Sequence, residues 1–349
     1  MSIQAAPVSH RQPAFDALKF MAIFLVLWGH VVQYGLSSTP ADNVVYRTIY
    51  AFHMPLFMLV SGYFAASAIK QEPRKFLRHK FRQLLLPPLT WGLLLYLLLK
   101  GGQAVLQGDR SASLTDMCSY LLHNLWFLKS CFLCFLLAYL TYRVGKARPW
   151  AIGLSLVCSQ CVPWFQLSVM YPCFIAGLEL RRHPSWQTWV RENRLWLGGA
   201  LLPMLLFWSK DCLAHWSLLP AGGGISDCIL DSSALLQPYR IATGIVGSLF
   251  FVGLFLQLFR EEPKRRPIKW CCAFGQLTLG IYVVQNILVE TLMPRVVSFD
   301  SLPLPLFNFV VAPAVSMAAL VACVVVIRLI SRSAVCAFLF FGKALPKDR

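Results

Sequence analysis

Charge is what this sequence has least of. Only 13% of its 349 residues are Asp, Glu, Lys or Arg, whereas 57% are hydrophobic and the mean hydropathy is +0.60. An ordinary soluble domain is excluded, because it needs far more charge to cover its surface. No Gly-rich phosphate loop is present, which argues against a nucleoside triphosphate as substrate. No Pro/Gly/Ser-rich linker, low-complexity tract or internal repeat divides the chain, so 1–349 reads as a single domain. Nothing resembles a soluble catalytic module, and any chemistry is expected in or at a membrane.

What the sequence does have is long apolar runs, such as Phe20–Leu27, Leu93–Leu99, Phe132–Tyr139 and Ala318–Ile327. They sit inside largely uncharged windows of about 20 residues, the length that crosses bilayer hydrocarbon. The expected spans are 15–34, 46–69, 83–99, 119–142, 150–168, 169–180, 195–209, 239–259, 270–291 and 305–327. The expectation is therefore an all-α polytopic membrane protein, a bundle of about ten transmembrane helices. The first window is expected to be a mature helix rather than a signal peptide, because Lys19 and His30 lie inside it and no small-x-small cleavage site follows.

The formal charge of +17 invites a nucleic-acid reading, which its distribution rejects. Loops alternate between two sides. Lys70–Arg82, Arg143–Arg148, Arg181–Arg194, Arg260–Lys269 and both tails carry 24 of the 32 Lys and Arg. The opposite side carries six, beside Asp42, Asp109, Asp116, Asp211, Asp227, Asp231 and Asp300, and the remaining two, Lys19 and Lys129, lie within spans. Short basic loops stay in the cytoplasm, so both termini are expected there, Lys210–Gln237 is expected outside, and the basic excess suits anionic lipid.

Most of the 12 cysteines fall in spans, where Cys packs as a small apolar residue. Cys212 and Cys228 share the long outer loop and are a candidate pair in an oxidising compartment. Cys158 and Cys161 form a lone CxxC, a weak signal for metal without a second pair.

The informative residues are the polar ones inside spans. Asp16, Lys19 and His30 interrupt the first helix. Eleven residues separate Lys19 from His30, close to three turns, which puts them on one face about 16 Å apart. Snorkelling explains Lys19 and a satisfied structural hydrogen bond explains His30, but intramembrane ionisable groups default to function. On the second helix, running the other way, His53 falls at the depth of His30, as its orienter, a metal ligand or a packed helix-end residue. With no third ligand in view, metal is the weaker choice. Arg78 and Arg82, four apart, offer a cationic face for a pyrophosphate or 3′-phosphate, although the positive-inside bias explains them equally. Trp126 and Lys129 in the fourth span, Arg240 at the start of the eighth, and Thr278, Tyr282 and Gln285 in the ninth complete a polar interior. Singly, each reads as structural.

These residues resemble the motifs of the acyltransferase family 3 membrane proteins. Asp16-x-x-Lys19-(x10)-His30 is similar to the family's first-helix motif, and Phe52-His53-Met54-Pro55-Leu56-Phe57 with Ser61-Gly62 to its second. Leu125-Trp126-Phe127-Leu128-Lys129, Phe174-Ile175-Ala176-Gly177, Thr278-Leu279-Gly280-Ile281-Tyr282 and Phe340-Phe341-Gly342-Lys343 follow in order. The resemblance implies a ten-helix enzyme that takes acetyl or another short acyl group from acyl-CoA at the cytosolic face of a bacterial inner membrane. The acceptor it implies is a hydroxyl of a surface polysaccharide, such as lipopolysaccharide O-antigen, or of its lipid-linked precursor. It puts the family's histidine on His30 and its cation on Lys19. Acetyl-CoA is then a substrate, and no permanently bound cofactor or metal is expected. Three departures stand out: Lys19 replaces the commoner Arg, an Arg-x-x-Arg is blurred into Arg78, Lys80 and Arg82, and Gln285 replaces a usual His. No fused hydrolase-like domain follows.

The chemistry expected is removal of a hydroxyl proton by His30, with His53 as catalytic partner and Lys19, Arg78 and Arg82 holding acyl-CoA. Trp126, Lys129, Arg240, Tyr282 and Gln285 are candidates for oxyanion or acceptor contacts. An acyl-His or acyl-Ser61 relay is an open alternative. The rivals are a transporter or flippase of a glycan or acyl donor, which would favour paired internal repeats, and a structural membrane subunit.

Overall fold

In the computed structural model, residues 12–107, 113–162, 164–213, 236–260 and 266–344 are described. Cys228, Asp109, Asp227, Asp231 and most of the expected outer loop lie outside them. The described residues are helical, with no strand.

In chain order the helices are α1 Pro13–Gly35, α2 Val44–Tyr63, α3 Pro73–Lys100, α4 Leu114–His123, α5 Trp126–Val144, α6 Pro149–Gln160 and α7 Leu167–Arg182. They continue as α8 Pro184–Glu192, α9 Arg194–Leu206, α10 Leu236–Leu258, α11 Arg266–Gly275, α12 Thr278–Val296, α13 Leu304–Ile330 and α14 Ala334–Phe341. Among the described residues α1, α2, α3, α5, α10 and α13 are each long and apolar enough to cross a membrane, and a seventh span follows if the bent pair α11 and α12 is taken as one. The chain is a multipass helical membrane protein. Leu97, Leu206 and Phe309 are more than half exposed, as side chains facing lipid are.

Two expected spans are divided. The 119–142 window breaks at Leu125, which adopts the left-handed conformation (φ 49°) and separates α4 from α5. The 270–291 window breaks between Gly275 and Thr278, with a 64° bend. The windows 150–168, 169–180 and 195–209 hold helices of 12, 16 and 13 residues. At ~1.5 Å per residue, each falls short of a straight crossing.

Helix α1 sits at the centre, packed by α2, α10, α11, α12 and α13. Its apolar residues, Phe15, Leu18, Ile23, Leu27 and Val31 among them, are buried all round, the mark of an interior helix. Small residues set the closest approaches, as expected where lipid supplies no hydrophobic drive between helices. A Cβ on Gly62 would fall 1.9 Å from the Phe174 carbonyl oxygen, and one on Gly177 would fall 1.8 Å from that of Leu59. This reciprocal contact locks α2 against α7. Helix α2 starts where Asn43 accepts from the backbone N–H of Val45 (2.9 Å) and Tyr46 (3.3 Å), and it continues through Pro55.

Past the far end of α1, the Phe299 N–H donates to the Gly35 carbonyl at 3.0 Å and the Ser37 N–H to Asp300 at 2.9 Å. The Ser298 hydroxyl also donates to Asp300, and these donors hold its carboxyl below the usual carboxylate range. The clasp ties the end of α1 to the loop following α12, which sets the two helices of the site side by side.

Candidate active site

The site begins on one stripe of α1. Lys19, Ile23, Val26, His30 and Tyr34 recur at three- and four-residue spacing, so they stack along a single helix face. Lys19, Ile23 and Val26 wall a cavity of about 320 Å³, completed by Met54 and Ser61 of α2, Lys80 and Gln83 of α3, Phe127 and Cys131 of α5, and Thr278 and Tyr282 of α12. Tyr34 walls a second cavity of about 390 Å³, completed by Ser119, Tyr120, His123, Asn124, Asn286, Glu290, Thr291 and Arg295. His30 falls between the two sets.

Helix α12 is divided in the same way. Thr278 and Tyr282 face the first cavity, Asn286 and Glu290 the second, and Gln285 lies between. Gln285 and Glu290 are five apart, which on a regular α-helix leaves them about 140° apart around the axis. From Asn286 to Leu292, however, the helix has the wider π winding, where residues five apart are paired. Gln285 therefore reaches Glu290, its Nε2 donating to Oε1 at 2.8 Å, and Asn286 donates to the other carboxylate oxygen at 2.8 Å.

His30 closes the cluster. Its Nδ1 lies 2.8 Å from Gln285 Oε1 and 3.1 Å from Glu290 Oε1. Both partners are acceptors, and the Gln285 carboxamide is oriented by its own donation to Glu290, so Nδ1 must carry the proton. Nε2 is left with its lone pair. A histidine held in one tautomer by a carboxylate, on the partition between two cavities, is equipped to take a proton at Nε2 and to be stabilised as imidazolium while it does so.

The remaining residues singled out from the sequence are distributed around this cluster. Lys19 pairs with Asp16 at 2.7 Å, and Gln276 donates to the same carboxylate at 3.1 Å. His53 is buried against Tyr50, with Nδ1 on the Ile49 carbonyl at 2.7 Å; Gln285 and Glu290, not His53, meet His30 Nδ1. Arg78 is exposed and Arg82 half-buried, whereas the cation that reaches the Lys19 cavity from α3 is Lys80, 3.5 Å over the Phe135 ring. Trp126 opens α5 edge-on to Phe127, and Lys129 is buried with its ammonium on the Asn124 carbonyl. Tyr282 packs edge-on to Phe127 on the cavity wall. Arg240 is buried and donates to Gln237 at 3.4 Å, away from either cavity's lining. Cys212 is buried beside Phe52 and Trp208, while Cys158 and Cys161 are free thiols.

Glu290, Asn124 and Asn286 were not singled out from the sequence, and Lys80 entered only as part of the blurred Arg-x-x-Arg. For Glu290 the signal was present: it is an acid inside the expected ninth span.

A family profile described as an acyltransferase domain matches residues 12–328. The chain belongs to the acyltransferase 3 family. Two relatives, both named nodulation protein NolL, are 27% identical to it. The one from Mesorhizobium japonicum aligns over 80% of this chain and 77% of its own length, and the one from Sinorhizobium fredii over 81% and 79%. No solved structure matches. This acyltransferase 3 member keeps the lengthwise order of its relatives over most of the chain, and its cluster of His30, Gln285 and Glu290 lies within the matched residues.

Proposed function

We propose that this membrane acyltransferase moves an acetyl or other short acyl group from acyl-CoA to a hydroxyl of a surface polysaccharide or its lipid-linked precursor, with His30 as general base. The observation that carries the reading is the pairing of His30 Nδ1 with Gln285 and Glu290 between the two cavities. A sugar hydroxyl attacks a thioester only if a base takes its proton within about 3 Å. His30 Nε2 is the free lone pair for that step, and Glu290 stabilises the imidazolium.

The acyl donor enters the Lys19 cavity. Its cations Lys19 and Lys80, with Arg78 and Arg82 nearby on α3, suit the phosphates of CoA, and its apolar walls suit the pantetheine arm and acyl group. Attack on the thioester carbonyl forms the new ester bond and breaks the C–S bond, and the imidazolium returns its proton to the departing thiolate. Tyr282 on the cavity wall is a candidate donor to the developing oxyanion, and Trp126 and Lys129 on α5 are further candidates. His53, buried one helix away, supports the packing around the base. Residues 1–349 act as one unit in a bacterial cytoplasmic membrane, with both termini in the cytoplasm; the basic loops and the bacterial relatives support this placement.

The test is acyl transfer from labelled acetyl-CoA to purified glycan by the full chain in proteoliposomes. His30→Ala should lose about 10²–10⁴ in turnover at matched insertion. Retained transfer overturns the base assignment, and loss of glycan export with normal transfer favours a transporter.

A further inference from the structure

Two residues lining the Glu290 cavity each carry a buried hydrogen-bonding atom without a partner among the described residues. Asn286 is buried, and its Nδ2 donates to Glu290 at 2.8 Å, which fixes the carboxamide and turns Oδ1 away from the carboxylate. That Oδ1 is screened from solvent and has no partner. Asn124, on the opposite wall, has its Nδ2 in the same condition. Burying a donor or acceptor without a partner is costly, so such atoms are retained where something else completes them. Here two residues that line one cavity carry, just behind its surface, an orphan acceptor and an orphan donor, beside the carboxylate that orients His30.

The chemistry of the two orphans is selective. An ammonium group only donates and leaves Asn124 Nδ2 bare, while a carboxylate only accepts and leaves Asn286 Oδ1 bare. A hydroxyl does both. The volume of about 390 Å³ lies within the range of small-molecule sites, and Tyr34 and Tyr120 add aromatic walls for the apolar face of a sugar ring. A turn of each carboxamide, which for Asn286 exchanges its bond to Glu290 for one to the ligand, brings the orphan atom to the cavity.

We propose that this cavity is the acceptor subsite and that it takes a neutral pyranose residue with adjacent hydroxyls: one hydroxyl meets His30 Nε2, and its neighbour donates to Asn286 Oδ1 and accepts from Asn124 Nδ2. The inference rests on the glycan-acylating role of this cluster and names the residues that choose the glycan. Asn124 and Asn286 are specificity-determining residues, and the sugar is recognised by its uncharged hydroxyl pair.

The experiment uses the full chain in nanodiscs and methyl hexopyranosides as probes. Binding is followed by saturation-transfer NMR, and acyl transfer by release of free CoA from acetyl-CoA. Neutral pyranosides should bind saturably and in preference to the matching amino sugar and uronic acid. Asn124→Leu, which removes no existing side-chain bond, should weaken binding at least tenfold, and Asn286→Leu should do the same. Both variants should also turn over a methyl hexopyranoside and its deoxy analogue at equal rates, a loss of discrimination that a merely structural defect does not produce. Asn124→Ser, which keeps a donor, should recover part of the affinity. Unchanged binding in both variants, or preference for a charged sugar, overturns the proposal. If binding behaves as expected while His30→Ala still transfers acetyl, the subsite stands and the base assignment fails.

Discussion

His30 and Glu290 meet at 3.1 Å where α1 and α12 pack together, with Gln285 bonded to both. Because every partner of His30 Nδ1 is an acceptor, the arrangement selects one tautomer as well as one position. Glu290→Gln keeps the shape but offers an amide that also donates, so the tautomer is no longer enforced. Turnover should fall on the order of 10²–10⁴, with little change in either KM. Steady-state kinetics in proteoliposomes measures this, and an unaltered kcat would remove Glu290 from the mechanism.

The cations proposed to hold the acyl donor differ in burial, and burial ranks their expected effects. Lys80 lies inside the Lys19 cavity with Phe135 beneath it and Gln83 as its hydrogen-bond partner, whereas Arg78 stands in solvent. A charge-assisted contact to phosphate is worth about 1.5–3 kcal/mol when shielded, so Lys80→Met should raise the acyl-CoA KM tenfold or more. Arg78→Gln and Arg82→Gln should raise it less and weaken its dependence on ionic strength. Equal effects from Lys80 and Arg78 would move the donor out of the cavity.

The Gly62 and Gly177 contact predicts a stability defect without a chemical one. Alanine at either position drives a methyl into a backbone carbonyl of the facing helix, and α2 and α7 must separate. The cost should be about 1–3 kcal/mol, visible as a lower unfolding temperature in detergent. Unchanged unfolding temperatures in both alanine variants would mean that the two helices pack less closely than described.

Topology is checked by labelling. The proposed cytoplasmic placement of both termini predicts that a tag after Arg349 is reachable only in permeabilised cells. A single-cysteine reporter at Lys210 should react in intact ones. The reverse pattern would exchange the sides on which donor and acceptor arrive.

How much of this was legible in the sequence can be followed along α1. Lys19 and His30 share a face because eleven residues make three helical turns whatever surrounds the helix, and scarcity of charge alone placed that helix in a membrane. The motif order placed the chain in its family. Position along a regular helix is local geometry, so a sequence determines it.

Tertiary structure decided the rest. Glu290 joins His30 only because the helix widens after Gln285, and α-helical spacing would have turned the acid away. Lys80 rather than Arg78 reaches the Lys19 cavity, and the window holding Lys129 breaks at Leu125. Arg240, expected among the oxyanion or acceptor contacts, is buried on Gln237 away from both cavity linings. Each of these depends on which helices pack together and on where a helix departs from 3.6 residues per turn. Those departures arise from contacts between segments far apart in the chain, which no local spacing records.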